Sequence, residues 1–203
     1  MRTRYGDSLV IVEWHPYAHD TLNINPDDSL RVARYVHNPG QPSLVLDGYF
    51  PVEMPSDPPQ LYSKFEDAIR VVKSAGSYVT LSAVGSADTV EGRVIVTLAM
   101  DSITPGTTPT LYCVVTEDSL LVEQFMDTVP YFRIPRQFLP DLNGTPINLA
   151  RGDTLVDTLT FATAGHRLDK LGAAVFIEDK SGTEEHRVLQ SATISRFVLT
   201  EDK

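Results

Sequence analysis

The stretch "GRVIVTLAM", residues 92–100, alternates apolar side chains between two faces. Along this stretch, Val94, Val96 and Leu98 alternate with Ile95, Thr97 and Ala99. A period of two indicates a β-strand, because successive side chains of a strand point to opposite faces of the sheet. The stretch therefore predicts a strand inside an all-β region.

Around this strand, the chain after Gly76 is a series of short apolar runs separated by turn residues. The other runs are "SYVTLSAVG" (77–85), "PTLYCVVTED" (109–118), "SLLVEQF" (119–125), "DTLVDTLTFAT" (153–163), "LGAAVFIEDK" (171–180) and "HRVLQSATISRFVLT" (186–200). About seven strands at this spacing predict an antiparallel β-sandwich of the immunoglobulin or fibronectin kind. The Pro- and Gly-rich stretch 129–152 predicts either a segment that wraps a sheet edge or a long connection between strands.

The first part of the chain alternates strand and helix patterns instead. The patterns predict strands at 8–15, 43–48 and 49–54, and helices at 25–38 and 56–76. The run 8–15 is almost continuously apolar, which is typical of a strand covered on both faces. We therefore predict an α+β protein with two domains, an α/β part over residues 1–75 and the sandwich over residues 77–203.

The helix over 56–76 has the clearest pattern. Leu61, Phe65, Ile69 and Val72 recur at spacings of three and four, which places them on one helical face. Gly76 ends the helix, since glycine readily takes the left-handed conformation that closes a helix.

The segment "YGDSLVIVEWHPYAHDTLNINPDDSLRVARYVHNPGQPSLVLDG", residues 5–48, resembles the second half of a bacterial thioredoxin-like domain of the Omp28-related envelope type. The residues that carry the resemblance are His15-Pro16, Asp20, Arg31, Arg34-Tyr35, Pro42-Ser43 and Asp47-Gly48. It implies that residues 1–75 form a partial thioredoxin-like fold. The Cys-x-x-Cys segment of such a domain would precede Tyr5, so the resemblance also implies an N-terminally truncated chain.

The same resemblance implies a substrate groove beside Pro42, whose preceding peptide bond is cis in the family. Ser43, Trp14 and Tyr49 would line this groove together with Pro42. An ordinary strand-entry proline and aromatic packing in a core are the alternatives.

Two other groups of residues are weaker candidates. His15, His19 and Asp20 lie in "HPYAHD" and can in principle bind zinc, whereas the alternative is a strand end with a solvated histidine. Cys113 is the only cysteine, which excludes an internal disulfide. Its apolar setting "LYCVVT" predicts a small buried side chain rather than a nucleophile.

The charge and hydropathy of the chain limit the classes of partner that we expect. A formal net charge of -10 disfavours nucleic-acid binding. No apolar run has the length of a membrane helix, which takes about 20 residues. We expect no cofactor, a protein or peptide partner, and self-association through an unpaired sheet edge.

These observations favour a non-catalytic binding or structural module of a bacterial envelope or secreted protein, with no enzymatic activity in the chain as given. The alternative is the C-terminal portion of a thiol-disulfide oxidoreductase whose cysteine pair lies upstream of Met1. The envelope location rests on the resemblance, because the chain itself shows no signal peptide.

Overall fold

The computed structural model describes residues 5–15, 30–33, 44–52, 57–102, 107–124, 127–181 and 186–200. β-Strands dominate this part of the chain. Their bounds are β1 Leu44–Leu46, β2 Phe50–Val52, β3 Val79–Ala87, β4 Glu91–Met100, β5 Pro109–Glu117, β6 Leu120–Gln124, β7 Asp127–Tyr131, β8 Ile134–Leu139, β9 Thr145–Pro146, β10 Thr154–Ala162, β11 Leu171–Asp179, β12 Arg187–Ile194 and β13 Val198–Leu199. One long helix, α1, spans Pro58–Ser74, and short 3₁₀ turns occupy Gly6–Ser8 and Leu168–Lys170.

Two larger sheets form the body of the described fold. One has the strand order β10-β4-β3-β13, and the other has the order β12-β11-β5-β8 with β9 paired to β5. All of these pairings are antiparallel except that of β13 with β3. The hairpins β1-β2 and β6-β7 form two further sheets of two strands each.

The main hydrophobic core lies between the two larger sheets. The inward side chains of β4, Val94, Val96 and Leu98, are fully buried there against Cys113 and Val175 of the facing sheet. The period-two pattern of residues 92–100 thus places one face of β4 in the core, while Ile95 on the other face is 41% exposed. The sandwich-like arrangement predicted for the second part of the chain is confirmed in that two sheets enclose a shared core.

The strands β5 and β11 differ from β4 because they are buried on both faces. Every residue from Thr110 to Glu117 and from Leu171 to Glu178 is buried. The inner face contributes to the main core, and the outer face forms a second cluster of Tyr112, Val114 and Phe176 with Phe138. A second layer must therefore cover the outer face of this sheet.

The prediction of a thioredoxin-like α/β part over residues 1–75 is wrong for the residues described. Residue 9 is a bend and residues 10–15 have no regular secondary structure, and the strands found in this part are the three-residue β1 and β2, which pair antiparallel with each other. The prediction of a strand at 8–15 was wrong because an apolar run indicates packing of side chains and does not show which backbone groups form hydrogen bonds. Most of its side chains are only partly buried, Ile11 is 41% exposed, and no described strand pairs with its backbone.

Other local predictions had mixed outcomes. The hairpin β1-β2 lies within the strands predicted at 43–48 and 49–54, and Asp47 and Gly48 take positive φ angles of 46° and 75° at its turn. Helix α1 confirms the prediction over 56–76 and is followed by Gly76 at φ 67°. Of the helix predicted at 25–38, the structure describes residues 30–33, which are helical.

The predicted connection over 129–152 is partly wrong, because it contains the strand β8. This strand pairs with β5 as an edge of the five-stranded sheet, with a register irregularity between Val115 and Thr116 where Pro135 pairs. Proline is tolerated at edges and irregularities since it lacks a backbone donor. The proline content of the stretch therefore marked an edge strand and not the absence of a strand.

Gly92 is required by the packing of β4 on β10. It pairs with Phe161, and a Cβ atom at Gly92 would lie 2.1 Å from Cζ of that ring. We predict that Gly92→Ala lowers the free energy of unfolding by about 1–3 kcal/mol, as overpacking of a core does. Urea denaturation measures this change.

The double variant Gly92→Ala with Phe161→Leu provides the control. It removes the ring that the new methyl group meets, so its destabilisation should be smaller than the sum of the two single changes. Additive losses, or a fully stable Gly92→Ala variant, would contradict the packing described here.

Candidate functional site

The outer face of the five-stranded sheet is covered by the N-terminal part of the chain. Trp14 stacks on Phe138 of β8, with ring centroids 5.6 Å apart. The backbone N–H of Glu13 donates to the carbonyl oxygen of Arg133 at 3.2 Å, and the His15 ring lies edge-on to Tyr131 at 5.4 Å. These contacts explain how an unpaired segment is held on a sheet.

A buried ion pair attaches a second N-terminal segment, residues 30–33, to the five-stranded sheet. Nη2 of Arg31 donates to Oε2 of Glu178 at 2.5 Å, and both side chains are fully buried. The guanidinium of Arg31 also lies over the Tyr112 ring, 4.2 Å from its centroid. Nδ1 of His186 lies 2.6 Å from the other carboxylate oxygen of Glu178. Since Glu178 is part of β11, it would be an uncompensated buried charge without these partners.

A second buried carboxylate, Glu117, lies at the end of β5. Nε of Arg167 and Nε of Arg136 each donate to it at 2.8 Å, and Nδ1 of His166 lies 3.8 Å away. Burial raises the pKa of Glu117, but the hydrogen bonds and charges of Arg167 and Arg136 outweigh it, so the pKa lies below its ordinary value. Burial, followed by the charge of Arg136, lowers the pKa of His166. The charges of Glu117 and its two arginine partners compensate one another, so this cluster has a structural role.

Cys113 lies in the main core with no exposed surface. Burial raises the pKa of its thiol to about 12. The prediction of a small buried side chain is confirmed. A thiol with this pKa supplies almost no thiolate near neutral pH, so it does not act as a nucleophile.

A cleft of about 680 Å³, which we call the edge cleft, lies beside the N-terminal segment. Four parts of the chain line it: residues 8–12, residues 44–47, helix α1 with the loop that follows it, and residues 188–191 of β12. Helix α1 contributes Phe65, Ile69 and Val72 from the apolar face that the sequence predicts. The turn of the β1-β2 hairpin is joined to β12, since the backbone N–H of Val188 donates to the carbonyl oxygen of Asp47 at 2.7 Å.

Open backbone edges distinguish this cleft from an ordinary apolar pocket. No backbone hydrogen bond joins Leu9, Val10, Ile11 or Val12 to another residue in the described part of the chain. Strand β1 pairs with β2 on one side, and among the described strands none pairs with its other side. Backbone N–H and C=O groups next to apolar surface call for partners, because leaving them without any costs free energy.

The residues proposed for a substrate groove have separate positions in the structure. Trp14 lies on the outer face of the five-stranded sheet, whereas Tyr49 packs edge-on to Phe50 beneath the guanidinium of Arg187. Neither residue lines the edge cleft. Pro42 and Ser43 lie outside the described residues, so the groove stays a prediction.

The weak metal candidates are only partly described. His15 is buried, with Nε2 3.8 Å from Oε1 of Glu13, while His19 and Asp20 lie outside the described residues. Among the residues that the structure describes, no three His, Cys, Asp or Glu side chains come together as a metal site.

Sequence reasoning predicted an unpaired edge along the runs 8–15 and 43–48, but it assigned this edge to self-association, and it missed the contribution of α1 and β12 to the cleft. It also missed the partners of Glu178. Arg31 and Glu178 are 147 positions apart, and no local pattern connects them. A charged residue inside the otherwise apolar run "LGAAVFIED" was the available signal, since a buried charge requires a partner.

Comparison with solved structures shows a similar fold in two bacterial proteins. HBP35 of Porphyromonas gingivalis matches with a TM-score of 0.69 and 12% identity, over 86% of this chain and 59% of that one. Protein AGR_C_4864 from Agrobacterium tumefaciens matches with a TM-score of 0.56 and 14% identity, over 90% of this chain and 78% of that one. The chain therefore spans about three fifths of the HBP35 structure whose fold it resembles.

A third comparison is more limited. A domain of the outer membrane lipoprotein Omp28 from Porphyromonas gingivalis matches with a TM-score of 0.42 and 12% identity, over 61% of this chain and 92% of that one. No protein-family model and no curated protein matches this chain. In the described residues, no helix combines the length and apolar character needed to cross a membrane.

The Glu117 cluster predicts how stability depends on pH. Because the pKa of Glu117 is lowered by folding, its stabilisation is complete above the ordinary glutamate pKa and is lost as pH falls through the folded-state value. Glu117→Gln should lower the free energy of unfolding near pH 7 by about 2 kcal/mol, and by less near pH 3, where the wild-type carboxyl takes up protons. Urea denaturation across this range measures the difference.

The exposed Glu123 of β6 offers a matched control, since it lies on the surface. Glu123→Gln should change the free energy of unfolding by less than about 0.5 kcal/mol at either pH. A Glu117→Gln loss that is equal at both pH values would show that the arginine contacts do not set the protonation of Glu117.

Proposed function

We propose that this chain is a non-catalytic binding module that holds an extended polypeptide segment in the edge cleft. The observation that carries the proposal is the backbone of residues 9–12 and of β1 along an apolar cleft, which has no partner on its open side among the described residues. An extended ligand would pair with these backbone groups and place alternate side chains against α1. Such strand addition is a general mode of peptide recognition, in which main-chain hydrogen bonds provide affinity and pockets provide specificity.

The volume of the cleft alone leaves the kind of ligand open. At about 680 Å³ it also falls in the size range of pockets for small apolar molecules. A small apolar molecule, however, offers no donors and acceptors for two open backbone edges. The unpaired backbone groups therefore favour a polypeptide.

The chemistry of the described residues supports a non-catalytic role. The alternative considered from the sequence, a thiol-disulfide oxidoreductase, requires a thiolate that attacks a disulfide. Cys113 is the only cysteine in the sequence, and its burial keeps the thiol protonated. This chain does not supply the reactive thiol of such an enzyme.

We propose a bacterial envelope or secreted location for the module. The support is the resemblance of residues 5–48 to Omp28-related envelope proteins, together with the fold similarity to HBP35. We also propose that residues 1–75 and 77–203 are two domains. The Arg31–Glu178 pair and the Asp47–Val188 hydrogen bond are among the contacts between them.

A short synthetic peptide that alternates valine with threonine tests strand addition. We predict that calorimetry detects its binding to the full chain, and that an analogue with N-methyl groups on alternate residues binds at least about tenfold more weakly. N-methylation removes backbone donors but keeps the side chains. Equal affinity for the two peptides would show apolar binding without strand pairing, and no binding of either would overturn the proposal.

Two neighbouring positions of α1 provide matched variants. Val72 lines the edge cleft, whereas Val71 is 54% exposed and does not line it. Val72→Trp should fill the cleft and abolish binding of the unmethylated peptide, while Val71→Trp should leave its affinity unchanged. Retained binding by Val72→Trp would place the peptide elsewhere.

A further inference from the structure

The edge cleft contains two charged residues among its described lining residues, Asp47 and Lys73. Asp47 belongs to the turn of the β1-β2 hairpin. Lys73 lies in the last turn of α1, is exposed, and forms no ion pair within the described part of the chain. The two charges have opposite signs and therefore different consequences for a ligand.

The two charged residues adjoin different lining elements of the cleft, from which we infer their places along it. The backbone of Val188 is bonded to Asp47, whereas two residues further along β12 the side-chain amide of Gln190 donates to the carbonyl oxygen of Val79 at 3.2 Å. Because a strand rises about 3.3 Å per residue, β12 leads from the Asp47 end to the start of β3. Lys73 belongs to this second end, since α1 is joined to β3 through Gly76 and Ser77 of the cleft.

The Asp47 end already has a cation of the protein beside it, Arg187. Burial raises the pKa of Asp47, and the nearby charge of Arg187 opposes that increase. The guanidinium of Arg187 lies over the Tyr49 ring, 5.5 Å from its centroid, so this cation is fixed next to the hairpin. Lys73 forms no ion pair with an acidic residue in the described ranges, and its end of the cleft is therefore the one that favours a charge brought by a ligand.

We propose that Lys73 selects an extended polypeptide segment that carries a carboxylate side chain at the end lying beside Gln190 and Ser77. This inference rests on the proposed function and adds the chemical class of the segment, which is apolar along its length and acidic at one end. An acidic residue at the opposite end would meet Asp47 and is disfavoured. Charge at the two ends thus also fixes the direction in which the segment lies.

The overall charge of the protein works against an acidic ligand, but over a longer range. The formal net charge is -10, and its repulsion is screened beyond about 8 Å at physiological salt. A carboxylate in contact with Lys73 lies well within that distance. We expect an advantage of about two- to fivefold in affinity, which is the range of a partly exposed ion pair.

Four peptides built on the alternating valine-threonine sequence test this inference. One carries Glu at its N-terminal end, another carries Glu at its C-terminal end, and each has a twin with Gln at the same position. Calorimetry with the full chain should show that one of the two Glu peptides binds about two- to fivefold more tightly than its Gln twin. This preference should be absent with Lys73→Met and present with Lys73→Arg.

Arg70→Met is the matched control for the loss of a positive charge on α1. Arg70 is exposed, pairs with Asp67 at 3.1 Å and does not line the cleft, so this variant should keep the preference for Glu. If the wild type binds the Glu and Gln twins equally, or if Lys73→Met keeps the preference for Glu, selection by Lys73 is overturned while the proposed function still stands. If none of the four peptides binds, the proposed function fails as well.

Discussion

The structure depends on two strands that are apolar on both faces. Strands β5 and β11 are buried along almost their whole length, so the five-stranded sheet needs a layer on each side. The four-stranded sheet provides the inner layer, and the N-terminal part of the chain provides the outer one through Trp14 and Arg31. Glu178 makes the second layer specific, because its buried charge requires Arg31 in one position.

The edge cleft follows from the way this outer layer is held. Side chains and a few polar contacts attach the N-terminal segment to the sheet, so residues 9–12 have no strand partners among the described residues. The hairpin β1-β2 is likewise attached at its turn, by the bond from Val188 to Asp47. Within the ranges that the structure describes, backbone groups along one cleft thus lack strand partners next to apolar surface, which is the combination that strand addition uses.

Elements whose apolar residues recur with one clear period could be predicted from the sequence. The alternation of Val94, Val96 and Leu98 correctly placed β4 against a core, and the spacing of Phe65 and Ile69 correctly placed the buried face of α1. Continuous apolar runs could not be interpreted in the same way. Such a run is a doubly covered strand at 109–117, whereas at 8–15 it is a partly buried segment that has no strand partner among the described residues. The Arg31–Glu178 pair joins distant positions and has no local signal.

Hydrogen exchange at residues 9–12 tests the central claim most directly. These amides form no hydrogen bond within the described part of the chain, whereas those of β4 are paired with strands on both sides. We expect the amides of residues 9–12 to exchange rapidly in the free protein and to become protected when the alternating valine-threonine peptide is bound, with β4 slow in both states. Protection of residues 9–12 already in the free protein, or rapid exchange with the peptide bound, would contradict the account.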